Sequence, residues 1–168
     1  TVNWRHPVYI RLAKGGDKVI TDNADVVKIG QSVLKQKPED ILLITTGVMT
    51  QIALDVSKIL AAEDIKCGVI HFSTIKPLDR EIIETWIPKV KTVVTIEEHL
   101  RIGGLGSAIL EFTNDFIPDH SVKIHRIGID DTFAQSYGSQ SSLWKSWGID
   151  TETIVKKIKA ILYQKKIY

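Results

Sequence analysis

A three-layer α/β/α fold around a mostly parallel five-stranded sheet, with one antiparallel strand, is what this 168-residue sequence predicts. Three observations carry it. From residue 41 onward, short β-rich apolar runs alternate with stretches whose apolar residues recur at helical spacing. Ile41-Leu-Leu-Ile44 is apolar without interruption, as a strand covered on both faces requires. Asp79 and Asp150 stand where helix starts need a side-chain acceptor.

The elements follow in order. Val8-Tyr-Ile-Arg-Leu12 is β-rich and lies between Pro7 and Gly15-Gly16. Residues 1–24 therefore read as the end of a preceding unit plus a linker, and residues 25–168 as the main domain. Residues 26–29 are a short strand candidate. Residues 41–45 form the next strand, and Gly47 turns the chain into a helix with Ile52, Val56, Ile59 and Leu60 on one face. Residues 67–72 are a strand. Asp79 caps a short helix that must end before Pro88. Residues 92–96 form another strand. Leu105, Ala108, Ile109, Phe112 and Phe116 mark the buried face of the following helix. Residues 123–127 are the last strand. Ser139, Ser141 and Ser142 open a helix that carries Leu143, Trp144 and Trp147. Asp150 caps a final helix with Ile154, Val155, Ile158, Ile161 and Leu162 on one side.

Composition excludes several classes. A single Cys cannot form a disulfide framework. No apolar run approaches the ~20 residues of a membrane-spanning helix. With 22 basic and 20 acidic residues, nucleic acid and anionic membranes are not expected partners. The one Met is Met49, so Thr1 is not expected to be a translational start. Absence of a signal-peptide pattern, together with the lone Cys, points to the cytoplasm.

In folds of this class ligands bind at the C-terminal ends of the strands. Two segments there could carry chemistry. Gly103-Gly-Leu-Gly-Ser107 follows a strand and opens a helix, so its N–H groups could face an anion. Its spacing matches neither a dinucleotide-binding fingerprint nor a phosphate-binding loop ending in Gly-Lys-Ser/Thr. A tight structural turn is the stronger reading. Glu97-Glu98-His99 precedes it and could support acid–base work, or serve as a hydrogen-bonded rim. Strand alternation lets Glu97 and His99, but not Glu98, share a face. Glu97, His99, Gly103, Gly104, Gly106 and Ser107 are thus the loop-site candidates. No His or Cys cluster suggests a metal site, and Cys67, inside a strand, is expected to be core. From the residues alone, no complete catalytic set emerges.

The ordered segments resemble the transketolase family. Pro7-Val-Tyr-Ile-Arg-Leu-Ala-Lys-Gly-Gly16 is similar to the end of its pyrimidine-binding domain. Asp40-Ile-Leu-Leu-Ile-Thr-Thr-Gly-Val-Met49 resembles the first parallel strand and turn of its C-terminal domain. Ser73-Thr-Ile-Lys-Pro-Leu-Asp79, Thr95-Ile-Glu-Glu-His99 with Gly103-Gly-Leu-Gly-Ser107, and Arg126-Ile-Gly-Ile-Asp-Asp-Thr-Phe133 resemble further segments of that domain, in the family's order. The family includes 1-deoxyxylulose-5-phosphate synthase and the β subunits of 2-oxo-acid dehydrogenases; Glu97-Glu-His99 is closer to the transketolase type, especially its split-subunit form.

The resemblance implies a complete enzyme that uses thiamine diphosphate and Mg to pass a two-carbon unit between sugar phosphates. It implies that both groups are bound mainly by a diphosphate-binding and a pyrimidine-binding domain, and that the complete enzyme is a homodimer. The family's G-D-G…N-N motif is absent here, so this chain alone is expected to bind no cofactor and to be inactive. No catalytic residue is carried over. One position is: the basic residue that contacts substrate phosphate corresponds to Lys14, where the family usually has Arg. Competing readings are a regulatory anion- or nucleotide-binding module at residues 103–107, and a domain that docks a partner protein.

Overall fold

The computed structural model describes residues 4–13, 17–21, 27–117, 121–134 and 137–163. Its elements are β1 (Ser32–Gln36), β2 (Ile41–Thr46), α1 (Met49–Ala61), β3 (Cys67–Phe72), α2 (Arg80–Trp86) running into a 3₁₀ turn at Ile87–Lys89, β4 (Thr92–Leu100), α3 (Leu105–Phe116), β5 (Lys123–Ile129), α4 (Gln140–Trp147) and α5 (Thr151–Tyr163). The strands form one sheet in the order β1-β3-β2-β4-β5. β1 pairs antiparallel with β3, while the β2–β3, β2–β4 and β4–β5 pairs are parallel. The predicted architecture is therefore the observed one.

Strand alternation sends successive side chains into two cores. Ile41, Leu43, Val69, Val94 and Ile96 meet Met49, Ala53, Val56 and Leu60 of α1, and Ile154, Val155 and Ile158 of α5. Trp144 and Trp147 of α4 pack against the same cluster. Leu42, Ile44, Ile70, Phe72 and Val93 meet Ile83 of α2 and Leu105, Ile109 and Phe112 of α3 on the other face. Central β2 is fully enclosed from Ile41 to Thr45, which explains its unbroken apolar run.

Several expectations shift. Residues 27–29 are not a strand; the antiparallel strand is β1, at residues 32–36. Its Lys35 and Gln36 hide it from an apolar-run search, because an edge strand needs only one buried face. Residues 8–12 belong to no strand or helix. The buried face of α1 runs through Met49, Ala53, Val56 and Leu60, leaving Ile59 exposed. Phe116 is also exposed; it stacks on Phe112 beneath the Arg80 guanidinium.

The caps form as expected. Asp79 accepts from the Ile82 N–H at 3.3 Å, Ser139 from Ser142 at 3.2 Å and Asp150 from Thr153 at 3.2 Å. Asp79 also accepts from the Ser32 N–H at 2.6 Å, so one carboxylate starts α2 and ties down β1. A buried polar relay links β2, α1 and β3. Thr45 donates to the Ile70 carbonyl at 3.1 Å and is 2.8 Å from Thr50, whose hydroxyl is 2.7 Å from His71 Nδ1. Each hydroxyl has one hydrogen to give. Thr45 must then accept from Thr50, and Thr50 from His71, which places a hydrogen on His71 Nδ1. Cys67 is buried, and desolvation pushes its thiol up to about 12, so it is inert as a nucleophile.

Candidate functional site

β4 runs past residue 96 to Leu100, so Glu97 and Glu98 are strand residues that face opposite sides. Glu97 points inward and is fully buried. Its two oxygens accept from the backbone N–H groups of Leu105 at 2.7 Å and Gly106 at 2.9 Å. These are N-terminal donors of α3, whose N-cap Gly104 supplies no side-chain acceptor. Glu97 caps the helix from eight residues upstream, and its charge suits the positive end of the helix dipole. Burial raises its pKa above the ordinary value; the two N–H groups, His99 and Arg126 pull the other way without reversing the direction.

The glycines are what allow this. A Cβ on Gly104 would lie 2.0 Å from Glu97 Oε2 and 2.9 Å from the Leu100 carbonyl. One on Gly106 would lie 2.6 Å from Thr95 Oγ1 and 2.9 Å from the Arg126 side chain. Neither position has a positive φ. Gly103 is the reverse case, with φ +74° and open space around its missing Cβ. The turn thus combines one conformational glycine with two that grant close approach.

Ser107 and Arg126 close the loop from outside. The Gly103 N–H donates to Ser107 Oγ at 3.0 Å, and Ser107 donates to the Arg101 carbonyl at 3.1 Å. Arg126 Nη1 donates to the same carbonyl at 2.7 Å and to Ser107 Oγ at 3.0 Å. Arg101 pairs with Asp130 at the end of β5. His99 is exposed, and its ring Nδ1 lies 3.1 Å from the Leu100 carbonyl.

The structure therefore brings Glu97, Gly104, Gly106 and Ser107 together, with Gly103 forming the bend, and leaves His99 at the rim. Lys14 lies outside the described residues. The sequence reading left Arg126 and Glu98 out of the loop-site candidates, Glu98 having entered only as one of the two carboxylates beside His99. Arg126 is the register partner of Thr95 across β4 and β5, a proximity visible only once the strand order is known. Glu98 accepts from Trp144 Nε1 at 2.6 Å and from Gln140 Nε2 at 3.0 Å, both in α4.

The N–H pair that could have faced an external anion already holds the Glu97 carboxylate. Among the described residues, no group of three or more His, Cys, Asp or Glu side chains could hold a metal ion, and no helix is long and apolar enough to cross a membrane.

Comparison with known proteins gives a consistent picture. A protein of Methanocaldococcus jannaschii assigned as a transketolase C-terminal section is 36% identical over 160 residues, covering 92% of this chain and 48% of that protein. The 1-deoxy-D-xylulose-5-phosphate synthase of Halothermothrix orenii is 36% identical over 157 residues, covering 92% of this chain and 24% of the synthase. The structure of a split-gene transketolase, described as an inactive β4 tetramer, superposes with a TM-score of 0.78 at 28% identity, covering 86% of this chain and 46% of that one. Campylobacter jejuni transketolase shares the fold, with a TM-score of 0.57 at 15% identity over 78% of this chain and 18% of that one. The chain thus spans at most about half the length of these relatives. The profile of the transketolase C-terminal domain matches residues 30–154, and this chain belongs to that family.

Proposed function

We propose that this chain is the C-terminal portion of a thiamine-diphosphate-dependent, transketolase-type transferase that moves a two-carbon ketol unit between sugar phosphates. Its share is architectural, and Lys14 supplies a substrate-phosphate contact. Residues 1–24 are then the end of the pyrimidine-binding domain plus a linker, and residues 25–168 the C-terminal domain. The missing partners are the diphosphate-binding domain and the rest of the pyrimidine-binding domain, on the same chain or another. The complete enzyme is a cytoplasmic homodimer.

The observation that carries the architectural part is the Glu97 carboxylate seated on the Leu105 and Gly106 N–H groups. An anion site at that helix start would require those donors. The same observation tests the cofactor. The described residues do not fit a diphosphate with its metal, because the Gly-rich turn is filled and no acidic or imidazole cluster accompanies it. In this reading thiamine diphosphate and Mg belong to the other domains, where the cofactor supplies the carbanion chemistry. Calorimetric titration of this chain with thiamine diphosphate and Mg is expected to show no binding; micromolar affinity would overturn the assignment. Ketol transfer should appear only when the chain is combined with a subunit carrying the G-D-G…N-N motif.

Lys14→Ala in that combined enzyme should raise KM for phosphorylated substrates roughly ten- to a hundredfold, as expected for a lost charge-assisted contact. Unphosphorylated analogues should be unaffected. Equal effects on both would remove Lys14 from the site.

A second reading rests on the 36% identity to a 1-deoxy-D-xylulose-5-phosphate synthase, which equals that to the transketolase section. In it the same domain serves a synthase of that type. Assaying the combined enzyme for both products separates the two.

A further inference from the structure

Glu98 has contacts that no part of the architectural role uses. Its carboxylate accepts from Trp144 Nε1 at 2.6 Å and from Gln140 Nε2 at 3.0 and 3.2 Å. The Arg11 guanidinium approaches the same carboxylate at 3.6 Å and donates to the Glu98 carbonyl at 2.8 Å. The Glu98 side chain is only 18% exposed, whereas Arg11 is 55% exposed. Residues 7–13 belong to no strand or helix, and Tyr9 and Leu12 stand in solvent at 90% and 82% exposure. A segment with so little buried apolar surface needs polar ties to keep one position. One residue, three-quarters of the way along β4, thus meets Arg11 from 87 residues upstream, through its backbone carbonyl and an ion pair, and through its carboxylate accepts from Gln140 and Trp144, 42 and 46 residues downstream.

We propose that Glu98 is a positioning residue: it latches the Arg11 segment to α4, and so sets where the run leading to Lys14 sits against the C-terminal domain. The second half rests on the phosphate-contact reading of Lys14; the first half does not. Trp144 donates to Oε1 of the Glu98 carboxylate while the Arg11 guanidinium pairs with its Oε2, so the two are coupled through the charge of one carboxylate. If Glu98 merely anchored α4, Arg11 would be irrelevant to Trp144.

The test uses the 168-residue chain and two variants, Glu98→Gln and the surface change Arg11→Gln, which touches no core residue. The Trp144 indole N–H resonance should lie downfield in the unmutated chain and move upfield in Glu98→Gln. It should also move in Arg11→Gln; an indole resonance unmoved by Arg11→Gln overturns the latch. Tryptic cleavage after Arg11, followed by mass spectrometry relative to cleavage after Arg5, should speed up about two- to fivefold in Glu98→Gln, the range expected from losing one partly exposed ion pair. An unchanged rate also overturns it. In the combined enzyme Glu98→Gln should raise KM for phosphorylated substrates without lowering kcat, and should add nothing to Lys14→Ala. If the indole and cleavage changes occur while Lys14→Ala shows no preference for phosphorylated substrates, the latch stands and the Lys14 reading fails.

Discussion

Glu97→Ala is expected to destabilise the chain by about 3–5 kcal/mol, measured by urea unfolding, because it removes a buried carboxylate and orphans two buried N–H groups at once. Each orphaned donor carries a desolvation cost that nothing nearby can refund, since Gly104 offers no side-chain acceptor. Glu97→Gln is milder, about 1–3 kcal/mol: the amide keeps one acceptor but turns its NH₂ toward the other N–H. The two variants also test the titration. Burial raises the folded pKa of Glu97 above the ordinary 4.5, so the native state holds its proton more tightly than the unfolded chain. That contribution to stability is complete below 4.5 and is lost as pH rises through the folded value. The unmutated chain should lose stability across that window, and Glu97→Gln should lose less. A steeper fall in Glu97→Gln would contradict the burial argument.

Gly104→Ala should cost about 2–4 kcal/mol, through a route unlike that of its neighbour. Its φ of −92° suits any residue, so the penalty is steric: the new methyl lands on the Glu97 carboxylate and the Leu100 carbonyl. Gly103→Ala meets no atom but must hold φ +74°, which costs roughly 1–2 kcal/mol. Thermal melts of the two variants should rank them in that order. The double variant Glu97→Ala/Gly104→Ala should cost less than the sum of its parts, because the methyl and the carboxylate compete for one space. Strict additivity would mean that they do not meet.

Local chemistry made much of the fold legible before any coordinates. Asp79, Ser139 and Asp150 cap the N–H groups three residues ahead of them, a relation that lies within one turn of chain. The enclosed β2 and the amphipathic α3 and α5 show their burial in their own periodicity. Turn chemistry likewise marked residues 103–107 as a bend into a helix. The sequence motifs, taken in order, were enough to indicate the family.

What tertiary structure decided is wherever a residue answers to something distant. β1 is a strand because Ser32, Val33 and Leu34 find Phe72, His71 and Ile70 beside them, not because its own residues prefer extension. Glu97 and Glu98 are identical neighbours in sequence, and the pleat sends one to the start of α3 and the other to Trp144 and Arg11. Spacing could say that they part; it could not say what each would meet. Hydrogen bonds and close packing act over a few ångströms in space, and only the folded sheet brings residues 11, 98 and 144 within that reach.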